Sequence, residues 1–139
     1  MVYVFVITIF YFQPLGYNIV TDKLETGFCC RIECNYGRSI AFHVDSGSNQ
    51  EYFAALVEFE DGDGDLAKVE LKEAHDDSNS WDSMQQSWGA VWKLDKGSPL
   101  KAPFSIRLTT LESGKTIVAS NVIPAEWTPG QTYRSIVNF

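Results

Sequence analysis

Phe104-Ser105-Ile106-Arg107-Leu108-Thr109 sets an apolar side chain against a polar one at every second position. Side chains on a strand point to opposite faces in turn. This run therefore buries Phe104, Ile106 and Leu108 and gives Ser105, Arg107 and Thr109 to water. The same period recurs on the N-terminal side. Ile40, Phe42 and Val44 alternate with Ser39, Ala41 and His43, and Phe53, Ala55, Val57 and Phe59 form the next run. Val69, Leu71 and Glu73 then oppose Lys68, Glu70 and Lys72, and Tyr133, Ser135, Val137 and Phe139 close the chain. Turn-forming clusters separate the runs: Asp45 to Asn49, Asp61 to Asp65, His75 to Ser80, Asp95 to Pro99, Glu112 to Lys115 and Thr128 to Gly130. No segment carries a helical stripe. Short half-buried strands spaced by turns predict an all-β fold, an antiparallel β-sandwich of about eight strands.

The 139 residues are 45% apolar and 21% charged, the profile of one globular domain. Such a length buries enough surface to fold without a metal or disulfide scaffold. Eleven Lys and Arg against eighteen Asp and Glu leave a net charge of −7. That balance argues against nucleic acid and anionic membranes as partners, because both draw affinity from clustered cations. Nine Phe, six Tyr and four Trp fill a β core first, and any surplus suits a flat, stacking ligand.

Val2 to Phe12 reads VYVFVITIFYF, eleven residues without a charge. A bilayer takes about 20 apolar residues, so the run is too short to span one. Its length suits the apolar region of a signal peptide, with Gln13-Pro14-Leu15-Gly16 as the exit. No Lys or Arg precedes it and no A-x-A follows. Its β-branched and aromatic content makes a strand the alternative. Residues 17–28 lack periodicity and read as a linker. The expected organisation is an apolar leader or atypical extension over 1–30, then a sandwich over 31–139. Cys29, Cys30 and Cys34 fall within six residues. Their spacing is not a zinc pattern, no His stands near, and adjacent cysteines bridge only under strain. No metal site is expected.

Asp61-Gly62-Asp63-Gly64-Asp65 begins like an EF-hand loop, with carboxylates at positions one, three and five. Position six is Leu66 where Gly is needed, and position twelve is Lys72 where Glu is needed. A solvated hairpin turn fits better, since Asp-Gly is a strong hairpin signal. Catalytic arrangements find little support. No G-x-S-x-G and no Cys–His signature occurs, His43 lies opposite Phe42 on its strand, and no carboxylate sits in an apolar setting. The strongest local signal is Ser87-Trp88-Gly89-Ala90-Val91-Trp92-Lys93. Strict alternation puts Trp88 and Trp92 on one face. A bulge at Gly89 sends them to opposite faces, one into the core and one on display. A displayed Trp and Tyr at one level make a platform for a sugar ring, whose C–H faces are apolar and whose rim carries hydroxyls.

Ile40-Ala41-Phe42-His43-Val44-Asp45-Ser46-Gly47-Ser48-Asn49 with Tyr52, Val57 to Asp65, Ser87 to Lys93, Pro103 to Leu108 and Val122 to Trp127 together resemble the carbohydrate-binding second domain of plant β-expansins. Grass pollen group 1 allergens belong to that family, and free-standing group 2/3 allergens are similar to this domain. The resemblance keeps its order over residues 31–139 and implies an immunoglobulin-like sandwich with a polysaccharide-binding face. Carried over by motif, that face holds Asn49 and Tyr52, Ser87 and Trp88, and Lys93 where an Arg is common. The ammonium keeps the charge and loses the fork of donors. The resemblance implies that Trp88 is the displayed Trp and Trp92 the core one, with Trp81 and Trp127 structural. The T-W-Y-G and H-F-D motifs of the family's first domain do not occur in this sequence. Arg31-Ile32-Glu33-Cys34 matches that domain's last fragment, which implies a partner for Cys34 in the part not represented.

The resulting expectation is a secreted, monomeric, non-catalytic protein that binds cell-wall polysaccharide, cellulose or arabinoxylan, and needs no cofactor. Wall loosening belongs to the two-domain proteins, and binding is what the resemblance passes on. Two alternatives stand beside it: a protein-interaction or structural sandwich, and a calcium-dependent or hydrolytic protein.

Overall fold

Apolar residues at every second position need a second apolar layer to cover them, and the chain supplies one by folding into two sheets. The computed structural model describes residues 33–75 and 80–139. The apolar run Val2 to Phe12, the linker 17–28, Cys29 and Cys30 lie outside the described residues, as does most of the turn between His75 and Ser80. The described residues form nine strands: β1 (Ala41–Val44), β2 (Tyr52–Glu58), β3 (Leu66–Glu73), β4 (Asp82–Ser83), β5 (Gln85–Trp88), β6 (Val91–Asp95), β7 (Phe104–Thr110), β8 (Thr116–Ile123) and β9 (Thr132–Arg134). One sheet runs β5-β6-β2-β1-β9 and the other β4-β3-β7-β8, with every pair antiparallel. No helix among the described residues is long and apolar enough to cross a membrane.

The inner faces meet through the residues whose alternation marks the strands. Phe42, Val44, Phe53 and Ala55 from one sheet share a core with Val69, Leu71, Phe104, Ile106 and Leu108 from the other. Phe53 and Phe104 meet edge to face with ring centroids 5.4 Å apart. Trp127 joins both rings, at 5.6 Å from Phe53 and 6.4 Å from Phe104. Such edge-to-face geometry matches ring edge to ring face and adds to plain burial. This agrees with a structural part for Trp127.

Three details depart from the sequence reading. Residues 59–65 are not a hairpin, because β2 and β3 belong to different sheets. The connection is held in place instead: Cys34 and Gly62 exchange backbone hydrogen bonds of 2.8 and 2.9 Å. Gly64 has φ +68°, and a Cβ there would sit 2.8 Å from Cys34 Sγ, so only glycine fits beneath this thiol. The closing alternation Tyr133 to Phe139 gives only the three residues of β9. Beyond them single backbone bonds to Ile40 continue, Ser135 N donating to Ile40 O at 2.9 Å and Ile40 N to Val137 O at 3.1 Å, and Ser135 Oγ lies within hydrogen-bond distance of both carbonyls. Glu70 does face outward, yet it is buried. Lys68 Nζ at 2.7 Å and Arg107 Nε at 2.6 Å close over its carboxylate, and Arg107 stacks on Trp81 at 4.4 Å.

The sheet edges are irregular. β5 pairs Gln86 with Trp92 and then Trp88 with Val91, which leaves Ser87 as an extra residue. β8 pairs Ala119 with Ile106 and Ile123 with Phe104, a bulge centred on Asn121 at φ +47°. Ser105 Oγ holds that bend, accepting from Asn121 N at 2.9 Å.

Candidate functional site

The bulge at Ser87 decides where the two neighbouring tryptophans go. Cross-strand partners share a face, so Trp92, opposite Ala55 and Gln86, points into the core, and Trp88, opposite Val91, points out. The exposures agree: 6% for Trp92 and 73% for Trp88. Gly89, with φ +51°, is not inside a strand but forms the turn between β5 and β6 with Ala90. Gln86 Nε2 donates to Gly89 O at 2.7 Å and ties that turn down. The opposite-faces outcome therefore comes from an extra residue one position before Trp88.

The register then places the other residues. Lys93 pairs with Ala54 on one side and Gln85 on the other, and Tyr52 pairs with Asp95. Tyr52, Ala54, Lys93 and Trp88 thus share the outer face of the five-stranded sheet. With strands ~4.8 Å apart and a rise of ~3.3 Å per residue, Tyr52 and Trp88 stand roughly 16 Å apart on a diagonal, with Lys93 midway. Ala54 beside Lys93 keeps that stretch low. Among the described residues, the Tyr52 hydroxyl, the Lys93 ammonium and the Trp88 indole N–H have no hydrogen-bond partner in the protein.

Asn49 plays a different part from these three. Its Oδ1 accepts from the backbone N–H of Glu51 at 2.8 Å and of Tyr52 at 3.0 Å, and its own N–H donates to Tyr52 O at 2.7 Å. Short polar side chains commonly close turns in this way. Buried Ser48 fixes the next step, since its Oγ accepts from Ala54 N at 3.0 Å and lies 3.1 Å from Ala54 O. Asn49 therefore positions Tyr52 at the head of β2, and its amide NH2 has no partner among the described residues. Ser87 is exposed at the bulge.

Sequence reasoning missed the middle of this face. Leu56, Val91 and the His43–Thr132 pair share it by register, with His43 Nδ1 2.8 Å from Thr132 Oγ1. The alternation already set Leu56 and His43 opposite the core residues, but the strand order that brings them beside Trp88 is a long-range property. The face offers aromatic stacking, the Lys93 cation between the two rings and free hydrogen-bonding tips, with Arg134 on the same face at the β9 edge. Its one hydroxyl–imidazole pair has no carboxylate bonded to the ring among the described residues.

The acidic turn is committed elsewhere. Asp61 Oδ1 accepts from Tyr36 N at 2.6 Å and Asp65 Oδ1 from Leu66 N at 2.9 Å. Asp63 Oδ2 accepts from Glu112 N at 2.9 Å, Ser113 N at 2.7 Å and Ser113 Oγ at 3.0 Å. Those bonds, the backbone one first, hold its carboxyl below the usual range. The three carboxylates thus serve three separate backbone segments. Millimolar calcium is expected to leave the thermal midpoint unchanged, since no ligand means no linkage stabilisation. A rise of several degrees that disappears in Asp63→Asn would contradict this.

Comparison with known proteins places this geometry in context. Residues 40–124 match the family model of the Expansin C-terminal domain. Expansin-B2 of Arabidopsis thaliana is 61% identical over 110 residues, which cover 78% of this chain and 40% of that protein. Expansin-B3 of Oryza sativa subsp. japonica is 54% identical over 110 residues, with the same two coverages. The chain therefore spans about two-fifths of the length of these relatives. Among solved structures, that of a point variant of Clavibacter michiganensis expansin in complex with cellohexaose superposes with a TM-score of 0.57 at 19% identity, over 75% of this chain and 46% of that one. The ligand-free form of the same protein gives a TM-score of 0.59 at 18% identity, over 77% and 48%. At these identities the likeness shows a shared fold.

Proposed function

This chain belongs to the expansin family through its C-terminal domain, and we propose that it binds plant cell-wall polysaccharide, without turnover, on the outer face of the five-stranded sheet. The observation that carries the reading is Trp88: a large aromatic, 73% exposed, on a diagonal with Tyr52 and Lys93 whose polar tips are all unpartnered. An apolar ring exposed to this degree is costly in water unless something covers it, and the apolar face of a sugar ring suits it. Tyr52 extends the platform, Lys93 and the Asn49 amide reach the hydroxyl rim, and Ser87 offers a hydroxyl at the bulge. The cellohexaose bound by the bacterial relative supports a β-linked glucan as one candidate polymer. A wall ligand and plant expansin relatives fit an extracellular site of action. The net charge of −7 disfavours a nucleic-acid ligand.

Depletion of the full chain onto insoluble cellulose and arabinoxylan tests the reading. Tyr52→Ala is expected to weaken binding by about 5-fold, the loss of one aromatic contact of ~1 kcal/mol, with little change in thermal midpoint. Lys93→Ala is expected to weaken it less, because rim contacts to hydroxyls exchange for water. Absence of retention on any wall polymer would sink the proposal.

A further inference from the structure

We propose that the face takes a branched polysaccharide, with one neutral branch sugar seated where the chain changes sheets between β4 and β5. This deepens the polysaccharide reading above and rests on it. The chain leaves one sheet at Ser83 and enters the other at Gln85, anchored by buried Met84. β5 pairs with β6 no further than Gln85 and Lys93, so β6 lacks a strand partner on that side at Leu94 and Asp95 among the described residues. The missing strand length leaves an open depression of about 310 Å³ lined by Ser83, Gln85, Lys93, Leu94 and Asp95. That volume lies at the small end of ligand sites, so it suits a single sugar unit rather than a chain.

The lining chemistry narrows the occupant. Four of the five lining side chains carry hydrogen-bonding groups. Among the described residues, the Ser83 hydroxyl and the Gln85 amide have no partner in the protein. Asp95 Oδ1 accepts one long bond, 3.3 Å from Gly97 N. Donors and acceptors are both present and largely unspent, which a ligand rich in hydroxyls satisfies. Lys93 and Asp95 leave the lining without net charge, which suits a neutral group better than an ion, and Leu94 alone offers little to an apolar group. Lys93 belongs both to this depression and to the midpoint of the Tyr52–Trp88 diagonal. A main chain lying on that diagonal therefore passes the mouth of the depression at its centre, where a substituent can drop in.

Titration calorimetry with two xylo-oligosaccharides of equal backbone length, one carrying a single arabinosyl branch, tests the assignment. The wild-type chain is expected to bind the branched form about 5- to 10-fold more tightly, the range for one or two added hydrogen bonds. Gln85→Ala, which removes the free amide, and Ser83→Phe, which fills the depression, are expected to lose that preference and bind the unbranched form as wild type does. Both positions are at the surface, and a thermal melt checks each fold. Trp88→Ala is the control for the main face and is expected to weaken both ligands alike. Equal wild-type affinity for the two sugars overturns the branch site, as does a preference that survives in both variants. Binding of neither sugar, nor of any wall polymer, overturns the polysaccharide reading as well.

Discussion

Trp88→Ala is expected to cost about 5- to 30-fold in polysaccharide affinity, ~1–2 kcal/mol, and to leave the thermal midpoint near that of the parent. Trp92→Ala is expected to do the reverse. Trp92 is buried opposite Ala55, inside the cluster shared with Phe53 and Phe104. Removing its ring leaves a cavity costing about 3–5 kcal/mol, which lowers the midpoint by more than about 10 °C in a domain of this size. The two residues are four positions apart and differ in burial by the register of one bulge, so composition and local sequence are matched in the comparison. Circular dichroism melts and depletion isotherms on the same two proteins separate the roles. An early-melting Trp88→Ala with a normally melting, weakly binding Trp92→Ala would reverse the assignment. Where Trp92→Ala is too unstable to purify, Trp92→Phe keeps most of the volume and is expected to bind normally.

Glu60 gives the second large effect. Burial, then the charges of Asp65 and Asp63, push its carboxyl from 4.5 up to about 7. Its Oε1 is buried without a hydrogen-bond partner. The folded chain thus holds this proton more tightly than the unfolded chain does. Stability from this group is complete at pH 4.5 and below, then falls as pH rises toward 7, where the folded form must also ionise. Each pH unit of that window carries about 1.4 kcal/mol at most, and partial solvent access reduces the whole to about 1–2 kcal/mol. Glu60→Gln keeps the shape and removes the charge. The variant is expected to melt several degrees above wild type at pH 7.5 and level with it at pH 4.5. Equal differences at both pH values would show that the carboxylate is not ionised at a cost in the folded protein. Asp63 and Glu70, both held below their usual range by hydrogen bonds, work in the opposite direction and act only in more acidic solution.

How much of this was legible in the sequence differs from element to element. The strands around Phe42, Phe53, Leu71 and Ile106 follow from alternation, because burial on one face writes a period of two directly into the residues. The division into sheets does not. Asp61 to Asp65 carries the turn chemistry of a hairpin, yet the same residues serve a connection between sheets, and only the long-range pairing of β2 with β6 and β3 with β7 distinguishes them. Ser87 has no feature that announces a bulge, and Gly89 beside it marks the turn instead. At the closing run the alternation continues through Val137, and backbone bonds of Ser135 and Val137 with Ile40 carry the pairing past the regular strand, which stops at Arg134. Asn49, Tyr52, Ser87, Trp88 and Lys93 came from a resemblance rather than from spacing. No local rule links Tyr52 to Trp88; the strand order does. Glu60 escaped although it adjoins the turn motif that drew attention: Asp65 and Asp63 of that motif add to the shift, but burial, the larger cause, is made by the fold and not by local sequence.

The bend at Asn121 bears on behaviour in concentrated solution. An edge strand with a straight row of free N–H and C=O groups is a template on which another chain can add itself and start a fibre. The four edges here are β5, β9, β4 and β8. β4 and β9 have two and three residues, too short a row to copy, and β5 is interrupted at Ser87. β8 is the exception in length, with eight residues and Val118 exposed. Asn121 at φ +47° turns its backbone out of line within that run. A small polar residue tolerates this conformation where a β-branched one does not. The left-handed residue thereby breaks the one long edge into two short ones and denies polymerisation a continuous template.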